Sequence, residues 1–280
     1  MEIRKARVQG FCFGVAITVK KAEEAIAARD DVTTLGHVVH NPQMVSSLEQ
    51  RGLKNAQNVD DVPSGALFVR AHGLPVEIFE KAKSKGLEII DATCPMVTKI
   101  HVQAEKLKAD GYKIAVVGDP NHPEVKGTLS HVPGAWCIET VEDVAKLPRA
   151  SRVGVVVQST YSRERFMDIV RAMSAKYYEV RAVNTICTDT NNRQTEAISL
   201  AQQVDIMVVV GGKTSANTKH LAELAEMQGA KAYHIEGPDE LRAQWFDGVK
   251  IAGLMSGAST PGWLVDDVEK KMESLAPVLV

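Results

Sequence analysis

LEIIDATCPMV, residues 87–97, runs from a short apolar stretch into a turn that carries Cys94 and then into a pattern of helical period. The same succession occurs twice more. A strand-like run at 3–8 leads to Cys12 and another at 179–183 leads to Cys187, and each cysteine stands just before a helical pattern. Twenty-eight residues beyond each cysteine lies a polar turn: VVHNPQ with His40, DPNHPE with His122 and GGKTSAN with Ser215. A second set of polar turns follows, VRAHG at His72, VVQST at Ser159 and MSGAS at Ser259, each preceded by an acidic connector: NVDDVPSG, TVEDVAKLP and GPDELRAQW. A matched order repeated three times indicates repeated supersecondary units. The chain therefore reads as three related α/β units, 1–95, 96–188 and 189–280.

Working outward, nearly continuous apolar runs at 66–70, 113–117, 152–157, 205–210 and 250–254 predict strands buried on both faces, as in parallel sheets. Helical patterns cover 16–29, 75–86, 97–111, 163–176, 192–203, 218–229 and 262–275, with Gly86, Gly111 and Gly229 placed as C-caps. Strand–helix alternation predicts an α/β fold with mainly parallel sheets.

Composition narrows the function. The 280 residues carry 33 Lys+Arg against 35 Asp+Glu, a net charge of −2, which argues against a chain built to coat nucleic acid. Hydrophobic residues make up 45%, enough for a large core, and aromatics only 5%, too few for base-stacking platforms. Four cysteines are too few for a disulfide scaffold. The opening MEIRKARVQG is charged and alternating, unlike a signal or transit peptide, and apolar stretches such as 206–210 are far short of a bilayer span. The expected setting is the cytoplasm, without membrane or nucleic-acid partners.

Turns at the carboxyl ends of parallel strands are where such sheets bind ligands. Three equivalent cysteines, Cys12, Cys94 and Cys187, suit zinc or an iron–sulfur cluster, and their spacing leaves both open because no CxxC pair is present. Cys137, in the strand-like WCIET, reads as structural. His40, His72, His122, Ser159, Ser215, Asn217 and Ser259 stand in turns that mostly precede helices, where free N–H groups and the helix dipole favour anions. That set fits a phosphate or diphosphate. Glu124, two residues past His122, is a candidate proton donor. GGKTS is not a Walker A motif, since the position needing its first glycine is Met207, and no GxGxxG follows the first strand.

GFCFGV at Cys12, VVHN at His40, AHG at His72, DATCP at Cys94, HPEVKGT from His122, Cys187 followed by TNNRQ, SAN from Ser215 and GAS before Pro261 together resemble the 4-hydroxy-3-methylbut-2-enyl diphosphate reductases, in the same order along essentially the whole chain. The resemblance implies a pseudo-threefold trefoil of three α/β units around a [4Fe–4S] cluster. It implies Cys12, Cys94 and Cys187 as the ligands, with one iron open to substrate. An allylic alcohol carrying a diphosphate would lose its hydroxyl as water, giving isopentenyl and dimethylallyl diphosphates. Glu124 would deliver protons with His122. His40, His72, His122, Ser215, Asn217 and Ser259, with Ala216 in the same loop, would hold the diphosphate. Gln158, Ser159 and Thr160 would sit near the hydroxyl, and an external ferredoxin or flavodoxin would supply electrons.

Two positions depart from the family pattern. Ser159 stands where the family usually has Thr, keeping the hydroxyl. Ala216 replaces the second Ser of SSN, removing one hydroxyl donor. Two readings of other classes compete: a zinc-dependent hydrolase of a phosphorylated small molecule, and a non-catalytic iron–sulfur sensor.

Overall fold

A computed structural model describes residues 1–275; the last five residues of the expected unit 189–280 lie outside the described residues. The chain begins with β1 (Glu2–Lys5), α1 (Phe13–Ala28), β2 (Val32–Leu35), α2 (Pro42–Gln50), β3 (Lys54–Ala56), β4 (Ala66–Val69), α3 (Val76–Ser84) and β5 (Glu88–Asp91). It continues with α4 (Pro95–Ala109), β6 (Lys113–Val117), α5 (Pro123–His131), β7 (Trp136–Ile138), α6 (Val141–Lys146), β8 (Arg152–Val157), α7 (Arg163–Lys176) and β9 (Glu179–Ala182). Last come α8 (Thr188–Ala201), β10 (Ile206–Val210), α9 (Ala216–Met227), β11 (Lys231–Ile235), β12 (Ile251–Ser256) and α10 (Gly262–Leu275). No helix among the described residues is long and apolar enough to cross a membrane.

The strands form three four-stranded sheets, β3-β2-β4-β5, β7-β6-β8-β9 and β11-β10-β12-β1. Every pairing is parallel. One strand order thus recurs three times, and β1, from the start of the chain, fills in the third sheet the place that β5 and β9 fill in the others.

The chain divides into two compact units. Among the described residues, the first comprises 1–16, 39–48 and 188–275 and contains the β11-β10-β12-β1 sheet; the second comprises 17–38 and 49–187 and contains the other two sheets. Alternation along the strands sorts their side chains onto two faces. In the second unit, Ala115, Val117, Val153, Val155 and Val157 pack with Phe166, Ile169 and Met173 of α7. The opposite face sets Ile114, Val116 and Val156 against Ile100, Ala104 and Leu107 of α4. Gly154 permits that approach, because a Cβ there would lie 3.0 Å from Leu107 Cβ. Truncating Phe166 to Ala would cost about 3–5 kcal/mol. In the first unit, Ile206, Val208 and Val210 face Leu264, Val265, Val268 and Met272 of α10, while Met207 and Val209 face α8 and α9.

The expected strands are present to within a residue or two, except that the run at 3–8 ends at Lys5, and Gly86, Gly111 and Gly229 follow their helices at φ +73°, +83° and +91°. The helices after the cysteines begin earlier than the sequence pattern predicts, at Phe13, Pro95 and Thr188, each directly after its cysteine. For α8 the reason is local: TDTN reads as turn-forming, yet Asp189 accepts from Arg193 Nε at 2.7 Å one turn on. The acidic connectors also have a structural role. Asp61 Oδ2 accepts from Asn58 N at 3.1 Å, and Asp143 Oδ2 from Thr140 N at 3.0 Å, so each stabilises the start of a short helical turn.

Candidate active site

The second unit gathers Cys94, Cys187, His72, His122, Glu124 and Ser159 at the carboxyl ends of its strands. Cys94 caps α4; its N–H donates to Ala71 O at 3.0 Å, and its carbonyl accepts from Val97 N at 2.9 Å. Burial pushes its thiol above the ordinary value, the N–H groups of Met96 and Val97 oppose that, and Cys187 and Glu124 add a further push upward. These three groups therefore share one electrostatic neighbourhood. Cys187 N donates to Ser159 O at 2.9 Å, which ties the Cys187 turn to the turn after β8.

Glu124 is 1% exposed. Its Oε1 accepts from Ser159 N at 2.6 Å, and its Oε2 lies 2.7 Å from Ser159 Oγ. Burial raises the carboxyl above the usual glutamate range; the two Ser159 bonds pull the other way. Both carboxyl oxygens are thus acceptors from Ser159, Oε1 from the backbone N–H and Oε2 from the hydroxyl. His122 caps α5, and its Nδ1 accepts from Glu124 N at 3.2 Å. That bond occupies the Nδ1 lone pair, so the ring carries its hydrogen at Nε2. The His72 ring stands edge-on to His122, with centroids 5.2 Å apart.

The first unit gathers Cys12, His40, Ser215, Asn217 and Ser259. Cys12 N donates to Ala258 O at 2.9 Å, and its Sγ accepts from Val15 N at 3.4 Å. Ser259 Oγ donates to His40 O at 3.3 Å. Gly212 lies directly beneath that carbonyl: a Cβ there would come within 2.3 Å of it. Ser215 caps α9 by accepting from Thr218 N at 3.2 Å. Asn217 is 5% exposed, and neither its Oδ1 nor its Nδ2 has a hydrogen-bond partner. Ala216, the first residue of α9, is exposed. The hydroxyl missing from its side chain therefore leaves no buried gap, and the residue can offer an anion its backbone N–H.

Cys137 lies on β7, packed beside the apolar cluster of Val116 and Val156, with Sγ 3.8 Å from Gly118 O. Sequence reasoning missed the glycines that let helix starts crowd the strand ends. Gly118, at φ +156°, would place a Cβ 2.7 Å from Gln158 Oε1 and Val125 Cγ2; Gly211, at the same φ, would place one 2.7 Å from Thr218 Oγ1. The signal was available, since Gly36, Gly118 and Gly211 each stand 24 residues beyond a cysteine.

A family model described as LytB protein matches residues 3–273. The 4-hydroxy-3-methylbut-2-enyl diphosphate reductase of Geotalea daltonii is 43% identical over 277 residues, covering 99% of this chain and 98% of its own. The reductase of the same name from Aquifex aeolicus is 39% identical over 280 residues, covering 98% and 97%. Among solved structures, that of (E)-4-hydroxy-3-methyl-but-2-enyl diphosphate reductase, the terminal enzyme of the non-mevalonate pathway, is similar with a TM-score of 0.73 at 39% identity, covering 98% of this chain and 100% of the other. The E-1-hydroxy-2-methyl-but-2-enyl-4-diphosphate reductase from Plasmodium falciparum is similar with a TM-score of 0.93 at 30% identity, covering 99% and 89%.

Proposed function

The chain belongs to the LytB protein family, and on that premise we propose that it reductively removes the hydroxyl of 4-hydroxy-3-methylbut-2-enyl diphosphate. Two electrons and two protons convert the allylic alcohol to isopentenyl or dimethylallyl diphosphate and release one water. The observation that carries this reading is Glu124, a buried carboxyl that burial raises above the usual glutamate range and Ser159 aligns, in the same electrostatic neighbourhood as Cys94 and Cys187.

The residues fit a [4Fe–4S] cluster held by Cys12, Cys94 and Cys187. All three stand outside any disulfide and each directly before a helix, and it is as thiolates that cysteines ligate a metal. When bound, the cluster supplies electrons and an open iron for the substrate hydroxyl. Glu124 is the acid that gives a proton to the departing hydroxyl, while Ser159 N–H fixes the carboxyl through Oε1 and the Ser159 hydroxyl meets Oε2. Neutral His122 presents its Nε2–H to the substrate. His40, His72, His122, Ser215, Asn217 and Ser259 bind the diphosphate, with Ala216 giving its N–H. Asn217 supports this most directly, as a buried amide that lacks a partner of its own. An external one-electron carrier, a ferredoxin or flavodoxin, completes the reaction, and the cytoplasm is where the chain works. The units 1–95, 96–188 and 189–280 are three copies of one α/β design, with β1 serving the third sheet.

Anaerobically purified protein should contain iron and sulfide and should turn over the hydroxylated diphosphate with a reduced dye. Zinc without iron would favour the hydrolase reading, and a cluster without turnover would favour the sensor.

A further inference from the structure

Arg193 is 1% exposed, the largest fully buried side chain among the described residues, and the function above gives it no role. It lies on α8, the helix that starts directly after Cys187. Its Nε donates to Asp189 Oδ2 at 2.7 Å, its Nη2 to Gly10 O at 2.9 Å, and its Nη1 to Ser256 O at 3.0 Å and Val8 O at 3.5 Å. Three residues further along α8, Glu196 accepts from Arg7 N at 2.6 Å and Val8 N at 3.2 Å. One helix thus holds residues 7–10 by their carbonyls and their N–H groups together, and these residues lead directly into Cys12.

The three cysteine turns differ in how much support they need. β5 ends at Asp91, three residues before Cys94, and β9 at Ala182, five before Cys187; β1 ends at Lys5, seven before Cys12, which makes this the longest irregular approach of the three. Gly10 sits at φ +73° within this stretch. A segment without ladder or helix bonds needs its polar groups met from elsewhere. A planar guanidinium meets Asp189 and the carbonyls of two separate segments through donors on three nitrogens in a fixed fork, a geometry that the single nitrogen of a lysine does not reproduce. Burying an Arg–Asp pair for stability alone is a poor bargain, since well-packed apolar residues of similar volume do as well or better.

We infer that Arg193, seconded by Glu196, is a positioning residue that sets the Cys12 turn in the geometry needed to ligate the cluster. The inference rests on the cluster reading above. Arg152 provides the control. It makes a comparable set of bonds, to Glu179 and Asp110 O, but at the start of β8, away from the cysteine turns.

Anaerobically reconstituted wild type, Arg193→Lys, Glu196→Gln and Arg152→Met are compared by iron release to a chelator, by the electron paramagnetic resonance spectrum of the reduced cluster, and by circular dichroism. Arg193→Lys should release iron about tenfold faster, as expected when the groups supporting a metal ligand are disturbed, and its spectrum should shift. Glu196→Gln should change both in the same direction but less, and Arg152→Met should match wild type. Wild-type release and spectrum in folded Arg193→Lys overturn the inference; if Arg193→Lys does not fold, the same result in Glu196→Gln overturns it. Equal acceleration in Arg152→Met also overturns it, because the effect would then be general loosening. A wild-type protein that takes up no iron overturns the cluster reading instead.

Discussion

Glu124 and Asn217 occupy the same station in two different sheets. Each stands 30 residues beyond its cysteine, second in the helix that follows β6 or β10, behind a capping side chain, His122 in one case and Ser215 in the other. Both are buried. The turn after β8 brings Ser159 to both oxygens of Glu124. The turn after β12 instead closes on the neighbouring Thr218, whose Oγ1 lies within 2.0 Å of where a Gly257 Cβ would be, and Asn217 has no hydrogen-bond partner. One station is satisfied within the protein and the other is not. The helix dipole would favour an ionised carboxylate at either place, but only by about 0.3–1 kcal/mol, rising to ~2 kcal/mol in partly buried sites. Desolvating a charge costs several kcal/mol, so at Glu124 burial outweighs the dipole and raises the carboxyl above the usual glutamate range. A neutral amide faces no such conflict, and its helix N-terminus remains available to an anion.

The largest test of this division is Glu124→Gln. It leaves an oxygen for Ser159 N–H but removes the acid, so kcat should fall by about 10²–10⁴, the usual worth of a general acid, with KM and cluster content near wild type. The wild-type kcat should decline as pH rises through the elevated pKa of Glu124, and the variant should lack that limb. Stability should follow the same sign. The folded protein retains a proton that the unfolded chain has released, so the Glu124 contribution is complete below the ordinary glutamate value and is lost as pH rises through the folded one. Near wild-type turnover in the Gln variant would remove the proton role. A smaller effect belongs to Asn217→Ala. Losing bonds to a charged ligand costs about 1.5–3 kcal/mol, which should raise KM tenfold or more, at about 1.4 kcal/mol per factor of ten, with little change in kcat. Asn217→Asp, which copies the carboxylate of the other station, should bind worse still. A fall in kcat at unchanged KM in Asn217→Ala would show that the two stations do not divide the work.

The stations were legible in the sequence because they are set by turn lengths. The 28-residue step reached His40, His122 and Ser215, and two of these prove to be helix caps. The parallel sheets were legible because strands covered on both faces are apolar throughout, as in VGVVV at 153–157. The start of α8 was not, because TDTN has poor helix propensity and depends on the Asp189–Arg193 bond. The pairing of β1 with β12 was hidden as well, since no local pattern tells a first strand that its neighbour lies some 250 residues away. Arg193 was visible only as one letter in TNNRQ; its role comes from carbonyls at Val8, Gly10 and Ser256, far from it in sequence. Single-site chemistry shows in the chain when it follows from spacing, and stays hidden when it depends on which backbone groups lack a partner.

The smallest expected effect sharpens the comparison by leaving the stations altogether. Cys137 is half-buried and outside any disulfide like the other three, but it lies on β7 rather than in a turn before a helix. Burial, with the charges of Glu139, Asp119 and Asp143 adding to it, pushes its thiol up to about 11. At neutral pH it therefore stays protonated, and a protonated thiol is neither nucleophile nor ligand. Cys94 is also raised by burial, but the N–H groups at the start of α4 offset part of the rise. Residue type is the same at both places and the backbone around it is not. Cys137→Ser should accordingly retain full iron content and wild-type kcat and KM, with a stability loss of about 1 kcal/mol that lowers Tm by only ~2–4 °C. If the folded variant lost cluster absorbance, ligation could not be assigned by position in the repeat, and the equivalence of the three turn cysteines would fail with it.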